Sequence, residues 1–307
     1  MVEEVEVKSG FVAIVGRPNV GKSTLVNEIV GEKVSIVSSH PNTTRFNVRG
    51  VCNRPNAQIV LVDTPGLHRP KSALGSRLND AAVASLSDVD VVVAIVDATG
   101  AIGPGDRVVI KRAVEAAVRG GVKLGLLVVV NKTDRARSED VLLRLATVSD
   151  AVGAVLDEIG GASILENVEY FPLSARTGEG VEGLIEAVID RLPSGPRYFP
   201  DDMSSDVGEA MWVAELVREQ LLSVVRDELP HSIACRVTEW EWPRIRCEIV
   251  VERDSQKAIV IGRGGEVLKA VGTAVRRQLR PGAYLELFVK VEKRWQGDEG
   301  ALDRLGY

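Results

Sequence analysis

The chain has 307 residues, 45% of them hydrophobic and 26% charged, with a formal net charge of -5. That length predicts two domains, and that apolar fraction can fill sizeable cores, so a disordered or low-complexity chain is excluded. Three widely spaced cysteines (Cys52, Cys235, Cys247) show no metal-ligand spacing and fit a reducing cytosol, while the acidic start MVEEVEVKSG is no signal peptide and no apolar run is long enough to span a bilayer.

In chain order, FVAIVG predicts a strand and KSTLVNEIVG a helix ending at Gly31. FNVRGVCNR and AQIVLVD read as neighbouring strands joined by a turn at RPN. VVVAIVDA and LGLLVVVN read as strands buried on both faces, VEYFPLSA ends another, and GVEGLIEAVIDRL is the last helix of the series. The alternation predicts a mostly parallel sheet with helices on both faces, and ligands beyond the C-terminal strand ends. LPSGPRYFPDDMSSD, rich in Pro, Ser and Asp, reads as a linker. After it come a long helix near 208–228, strands SIACRVTEW and RIRCEIVVER, a short helix, the turn IVIGRGG, a helix EVLKAVGTAVRRQL and a strand YLELFVKVEK. That order describes a small α+β domain. The expected division is 1–193, a linker at 194–207, and 208–307.

Charge is unevenly spread. Residues 256–296 hold nine basic side chains against three acidic ones, an excess of six in a chain that is negative overall. A polyanionic partner and an ordinary solvated face both account for this.

The stretch Gly16-Arg17-Pro18-Asn19-Val20-Gly21-Lys22-Ser23, followed by Thr24, fits G-x-x-x-x-G-K-[ST] between a strand and a helix. Backbone N–H groups there face phosphate oxygens, Lys22 neutralises the β and γ phosphates, and the Ser23 hydroxyl suits Mg²⁺. Asp63-Thr64-Pro65-Gly66 ends another apolar strand. Its Asp63 can hold Mg²⁺ and its Gly66 N–H can meet a γ-phosphate. Asn131-Lys132-Thr133-Asp134 ends a third, and the Asp134 carboxylate can accept from guanine N1–H and N2–H₂, a donor pair that adenine lacks. Ser174-Ala175-Arg176 ends a fourth, where a backbone N–H can reach guanine O6. Four such motifs in order predict a site for GTP or GDP. Thr43 and Thr44 are the switch candidates for a metal ligand, and Thr44 is preferred. Lys22, Asp63, Gly66 and Thr44 form the expected catalytic set. Leu67 stands where Ras-like enzymes carry a water-orienting Gln, so hydrolysis is expected to be slow, or to be completed by another group, a cation or a partner. His68 beside it reads as an ordinary loop residue.

Taken together, GRPNVGKSTLVN, PNTTR, DTPGLH, NKTD, SAR, DELPHSIACRVTEWE, IVIGRGGEVLKAVG and YLELFVKVEKRW resemble the bacterial Era GTPases, from about Gly10 to Tyr307. The resemblance implies an α/β P-loop NTPase domain followed by a small α+β type II KH domain. It implies slow, Mg²⁺-dependent GTP hydrolysis, binding to the 3′ end of 16S rRNA, and a role in maturation of the 30S ribosomal subunit. Relatives with a hydrophobic residue in place of the Gln use a loop Asn to bind K⁺, and Asn19 matches that place. A cytoplasmic monomer is expected, with a peripheral membrane contact carried as an alternative. The chain departs from the family at SSHPNTTR, where His40 and Asn42 take the places of a more usual Lys and Gln, and in MSSDVGEAMW.

IVIGRGGEVL lacks the Lys-Ser/Thr of a second nucleotide loop. It fits G-x-x-G as Gly262-Arg263-Gly264-Gly265, the turn with which KH domains clamp a nucleotide backbone. Lys257, Ile261 and Lys269 join these as RNA-contact candidates. Ile259 and Val267 serve equally as groove walls or core, and Trp240, Trp242 and Trp295 as base-stacking or packing residues. An RNA-binding switch is preferred over an RNA chaperone whose nucleotide site is structural.

Overall fold

A computed structural model describes residues 7–67, 70, 72–120, 125–160, 167–225 and 229–307. They divide into two compact units. The first comprises the described residues within Met1–Ser35, Thr44–Arg69 and Leu78–Asp206. The second comprises those within Ile36–Thr43, Pro70–Arg77 and Val207–Tyr307.

The first unit contains β1 (Lys8–Gly16), α1 (Lys22–Val30), β2 (Val48–Arg54), β3 (Ala57–Asp63), most of α2 (Ala73–Ala84), β4 (Val91–Asp97), α3 (Pro104–Gly120), β5 (Gly125–Asn131), α4 (Ser138–Ile159), β6 (Val168–Leu173) and α5 (Val181–Arg191). Its sheet has the order β2-β3-β1-β4-β5-β6, with β2 antiparallel to β3 and the other pairings parallel. Successive strand residues point to opposite faces, and both faces are covered, so the strands read as unbroken apolar runs. Ala13 and Val15 enter one core with Val109 and Ala113 of α3 and Val148 and Val152 of α4. Val12 and Ile14 enter the other with Leu25 and Val26 of α1 and Leu184 and Val188 of α5. Because the pairings among β1, β3, β4, β5 and β6 are parallel, Gly16, Asp63, Asp97, Asn131 and Leu173 end at one edge.

The stretch expected to be a linker is a strap on this unit. Gln58 is fully buried, and its Oε1 accepts from the N–H of Tyr198 at 2.7 Å and of Phe199 at 2.9 Å. Val51 N–H donates to Ser204 O at 2.8 Å, and Arg49 pairs with Asp206 at 2.9 Å. The strap thus covers backbone of the edge strand β2, an edge that would otherwise invite pairing with another chain.

The second unit contains α6 (Glu209–Val224), β7 (Ala234–Glu241), β8 (Arg244–Val251), α7 (Asp254–Ile261), α8 (Glu266–Arg276), β9 (Tyr284–Val291) and α9 (Glu299–Leu305). Its sheet runs β7-β8-β9, the first pair antiparallel and the second parallel. Ile245, Cys247, Ile249 and Val251 alternate into a core with Val213 and Val217 of α6 and Val271 and Val275 of α8. The intervening β8 residues carry ion pairs: Arg246 to Glu239 at 2.6 Å, Arg244 to Glu286 at 2.9 Å, and Glu248 to Arg236 at 2.6 Å. The last helix, α9, was not expected from periodicity. Its signals are caps: the Asp298 side chain accepts from Ala301 N–H, and Gly306 closes it at φ 83°.

Two short segments from the first third of the sequence complete this unit. Val37 N–H donates to Glu219 Oε1 of α6 at 3.0 Å, and Arg218 donates to Thr43 O. Arg218 is buried and paired with Glu215 at 2.8 Å, as a buried guanidinium requires. Arg77 pairs with Asp303 at 2.7 Å and with Glu299.

Candidate functional site

The turn from β1 to α1 is built by close approach. A Cβ at Gly16 would lie 2.7 Å from Val20 Cγ2, and one at Gly21, where φ is 101°, would lie 2.3 Å from Asn131 Nδ2. Only glycine fits either place. Asn19 also takes a positive φ of 65°. Lys22 folds back into the turn and donates to Gly16 O at 3.2 Å and Arg17 O at 3.0 Å. Burial pushes its ammonium down to about 8, while the nearby Asp63 acts the other way. The Arg17 side chain is committed elsewhere, to the buried Asp106 of α3 at 2.8 Å.

At the end of β3 the expected oxygen donors converge. Ser23 Oγ and Thr44 Oγ1 are 2.8 Å apart, and Thr44 Oγ1 donates to Asp63 Oδ2 at 3.3 Å. Ser35 Oγ donates to the same Oδ2 at 2.6 Å. The other oxygen, Asp63 Oδ1, is buried and makes no hydrogen bond. Burial pushes the Asp63 carboxyl up, against the Ser35 bond and the Lys22 charge. Two hydroxyls and an unsatisfied carboxylate oxygen are hard donors of the kind Mg²⁺ takes alongside phosphate and water, so Ser23, Thr44 and Asp63 could hold it. Thr64 is buried and donates to Ile14 O at 2.8 Å, which leaves Pro65 and Gly66 to make the approach. A Cβ on Gly66 would fall 2.7 Å from Pro18 N. Leu67 N–H donates to Gly16 O at 3.2 Å, and its side chain lies in the core with Val15 and Ala98. The residue at the usual Gln position therefore faces protein, not water. His68 lies outside the described residues.

At the other end, Asn131 is a tie between loops. Its Nδ2 donates to Val20 O at 2.8 Å, and its Oδ1 accepts from Lys132 N–H at 2.8 Å and Ala175 N–H at 2.9 Å. Lys132 Nζ bridges Asn19 O at 2.7 Å and Asp97 Oδ2 at 2.6 Å. Burial would raise the Asp97 carboxyl, but bonds from Lys132 and Thr99 outweigh it and hold the group low. Asp134 accepts from Ser174 Oγ at 2.7 Å and from Arg176, and the Ser174 bond is the main reason its carboxyl is held low. Arg176 thus pairs with the carboxylate expected to match the guanine donor pair.

Four functional side chains were not singled out in the sequence. Asp97 had a signal, an acid closing an apolar strand. Asp106, Asn27 and Ser35 look ordinary until the fold brings them into contact.

In the second unit, Gly262 has φ 74°, and a Cβ there would lie 2.5 Å from Val267 Cγ2. Gly264 and Gly265 also have positive φ, 60° and 82°, but open space where a Cβ would go. Arg263 and Lys269 are exposed and Lys257 and Ile261 half-buried on the flanking helices. Ile259 is exposed at 56% and so lies outside the core, whereas Val267 packs against it. Trp295 is fully buried and donates to Ser232 O at 3.1 Å, so it packs and cannot stack on a base. Trp242 stays half-exposed, with the Arg280 guanidinium 5.7 Å from its ring centre.

A parallel sheet with GRPNVGKS, DTPG, NKTD and SAR at successive strand ends defines a P-loop GTPase, and the second unit, with its G-x-x-G turn between two helices, defines a KH-type RNA-binding domain. Residues 11–132 match the family described as 50S ribosome-binding GTPase, and residues 228–296 match the KH domain. GTPase Era of Mycobacterium avium (strain 104) is 44% identical over 98% of this chain and 99% of its own. That of Mycolicibacterium smegmatis is 43% identical with the same coverage. A crystal structure of an Era variant from Aquifex aeolicus bound to GDP and AlF4- superposes with a TM-score of 0.85, at 36% identity, covering 98% of this chain and 99% of that one. Era in complex with MgGDPNP and nucleotides 1506–1542 of 16S ribosomal RNA superposes at 0.84, also at 36% identity, with the same coverage. The chain belongs to the GTPase Era family.

Proposed function

We propose that this GTPase is a nucleotide-controlled binder of the 3′ end of 16S rRNA, acting in the cytoplasm in maturation of the 30S subunit. The observation that carries the reading is the presence in one chain of a guanine-matched site and a KH turn with exposed Arg263 and Lys269 beside it. A relative matched over 98% of this chain and 99% of its own has been crystallised with MgGDPNP and 16S rRNA nucleotides 1506–1542. In this reading Gly16 to Thr24 hold the phosphates, with Lys22 as counter-charge, and Asp134 selects guanine. Ser23, Thr44 and Asp63 hold Mg²⁺, which supplies charge neutralisation at the β and γ phosphates when bound. Gly262 to Gly265, Lys257, Ile261 and Lys269 grip the RNA backbone. Asn19 takes part in a K⁺ site, and equal hydrolysis rates in sodium and potassium would remove that element alone.

The test is RNA affinity for a fragment equivalent to nucleotides 1506–1542, measured with a GTP analogue and with GDP. Tighter binding with the analogue is expected. Equal affinities would replace the switch by an RNA chaperone with a structural nucleotide site, and no binding in either state would reject the RNA role.

A further inference from the structure

One buried hydrogen-bond chain in the first unit starts outside the motifs and ends on Asp63. Asn27 lies inside α1, where Asn is a poor helix residue because its amide competes for backbone groups. Here that tendency is used across space. Asn27 Oδ1 accepts from Val34 N–H at 3.0 Å and Ser35 N–H at 2.9 Å, and its Nδ2 donates to Ser35 O at 2.8 Å. Three bonds from one side chain fix the backbone of a loop that has no helix or strand of its own. Ser35 is buried, and its hydroxyl is spent on Asp63 Oδ2 at 2.6 Å.

The consequence lies in the oxygen left over. Asp63 is fully buried, and an ionised carboxylate has about four lone-pair sites to satisfy. The described bonds fall on Oδ2, from Ser35 and Thr44, while Oδ1 makes none. A buried unsatisfied carboxylate oxygen is costly unless something binds it. Rotation of the carboxylate about its Cβ–Cγ bond would break the short Ser35 bond.

We infer that Asn27 and Ser35 form a positioning relay that fixes the Asp63 carboxylate so that Oδ1 is presented to the divalent cation accompanying the nucleotide. Asn27 sets the loop, Ser35 sets the carboxylate, and neither touches the nucleotide. The inference rests on the nucleotide site alone and is independent of the RNA role.

The test uses the full chain and the release of a fluorescent GDP analogue, followed as Mg²⁺ is titrated and again in EDTA. Ser35→Ala should raise the Mg²⁺ concentration that half-slows release by about tenfold to a hundredfold, the usual cost of losing an outer-sphere partner. Release in EDTA should change less than about twofold, because the metal-free contacts are intact. Ser35→Thr, which keeps the hydroxyl, should restore the Mg²⁺ requirement to within about threefold of the parent, and Asn27→Ala should shift it in the same direction as Ser35→Ala. An unchanged Mg²⁺ requirement in Ser35→Ala overturns the inference. So does an equal acceleration of release with and without Mg²⁺, which would mark a merely structural role. Should Asn27→Ala fail to fold, the Ser35 pair decides the matter alone.

Discussion

The two glycine turns of this chain answer the same chemical demand, close approach to phosphate, in opposite ways. The turn at Gly16–Gly21 is enclosed: Gly21 abuts Asn131, Lys22 is folded onto backbone carbonyls, and Asn131 ties three loops by three hydrogen bonds. The turn at Gly262–Gly265 is bare: Gly264 and Gly265 face open space, and Arg263 is exposed at its tip. A single mononucleotide has fixed dimensions and one base to tell from others, so its site can be built in advance and buried. A strand offers repeating phosphates, and its site need only be accessible and positive.

The largest expected effect breaks the enclosed turn and spares the bare one. Gly21→Ala forces a Cβ to within 2.3 Å of Asn131 Nδ2 at φ 101° and should weaken GDP binding by more than about a hundredfold by calorimetry, a strain of several kcal/mol being involved. RNA affinity without nucleotide should stay within about twofold, since the second unit has its own core. Loss of both would show that the two turns are not independent. Next in size is pH. Burial pushes the Lys22 ammonium down to about 8, and phosphates would raise that value. GDP affinity should therefore be flat below pH 8 and fall above it, by up to about tenfold per pH unit, with proton uptake on binding. Affinity flat to pH 9.5 would show that the ammonium does not titrate there.

Gly264→Asp acts on the bare turn. Space is open and Asp tolerates positive φ, so the protein should fold while the carboxylate opposes phosphate, weakening RNA binding by about tenfold or more with GDP binding unchanged. Undiminished RNA affinity would move the RNA site off this turn. Lys269→Ala should lower RNA affinity and reduce the slope of log affinity against log salt by about 0.7, the value for one phosphate contact on a single strand. An unchanged slope would place Lys269 outside the contact. The smallest effect concerns Arg176, which donates to the Asp134 carboxylate. Removing an exposed ion pair should tighten GDP binding by about two- to fivefold in Arg176→Ala, whereas weaker binding would show that the arginine contacts the nucleotide.

What was legible in the sequence follows the range of the forces involved. β1, β3, β4 and β5 could be read because burial on both faces leaves an unbroken apolar run, and three of the four nucleotide motifs because each sits at the end of such a run. The G-x-x-G turn could be read because positive φ at Gly262, Gly264 and Gly265 favours glycine. Contacts that join distant residues left no local trace. Nothing about Thr43 announces that Arg218 will hold its carbonyl, nor about Ser35 that it will meet Asp63. The strap at 194–206 reads as slack chain because its partners, Gln58 above all, are elsewhere in the sequence. Leu67 could be read as no water-orienting group, but its place in the core depends on neighbours that only the fold supplies.

The Arg176–Asp134 contact has one more consequence. A guanidinium and the Watson–Crick edge of guanine are chemical cousins: each sets N–H donors side by side on a planar, delocalised frame. With Arg176 on Asp134, the chain carries an internal mimic of the base proposed to bind there. A base that binds this carboxylate through adjacent N–H groups would therefore exchange one planar donor for another, and the negative charge would have a partner both before and after the exchange.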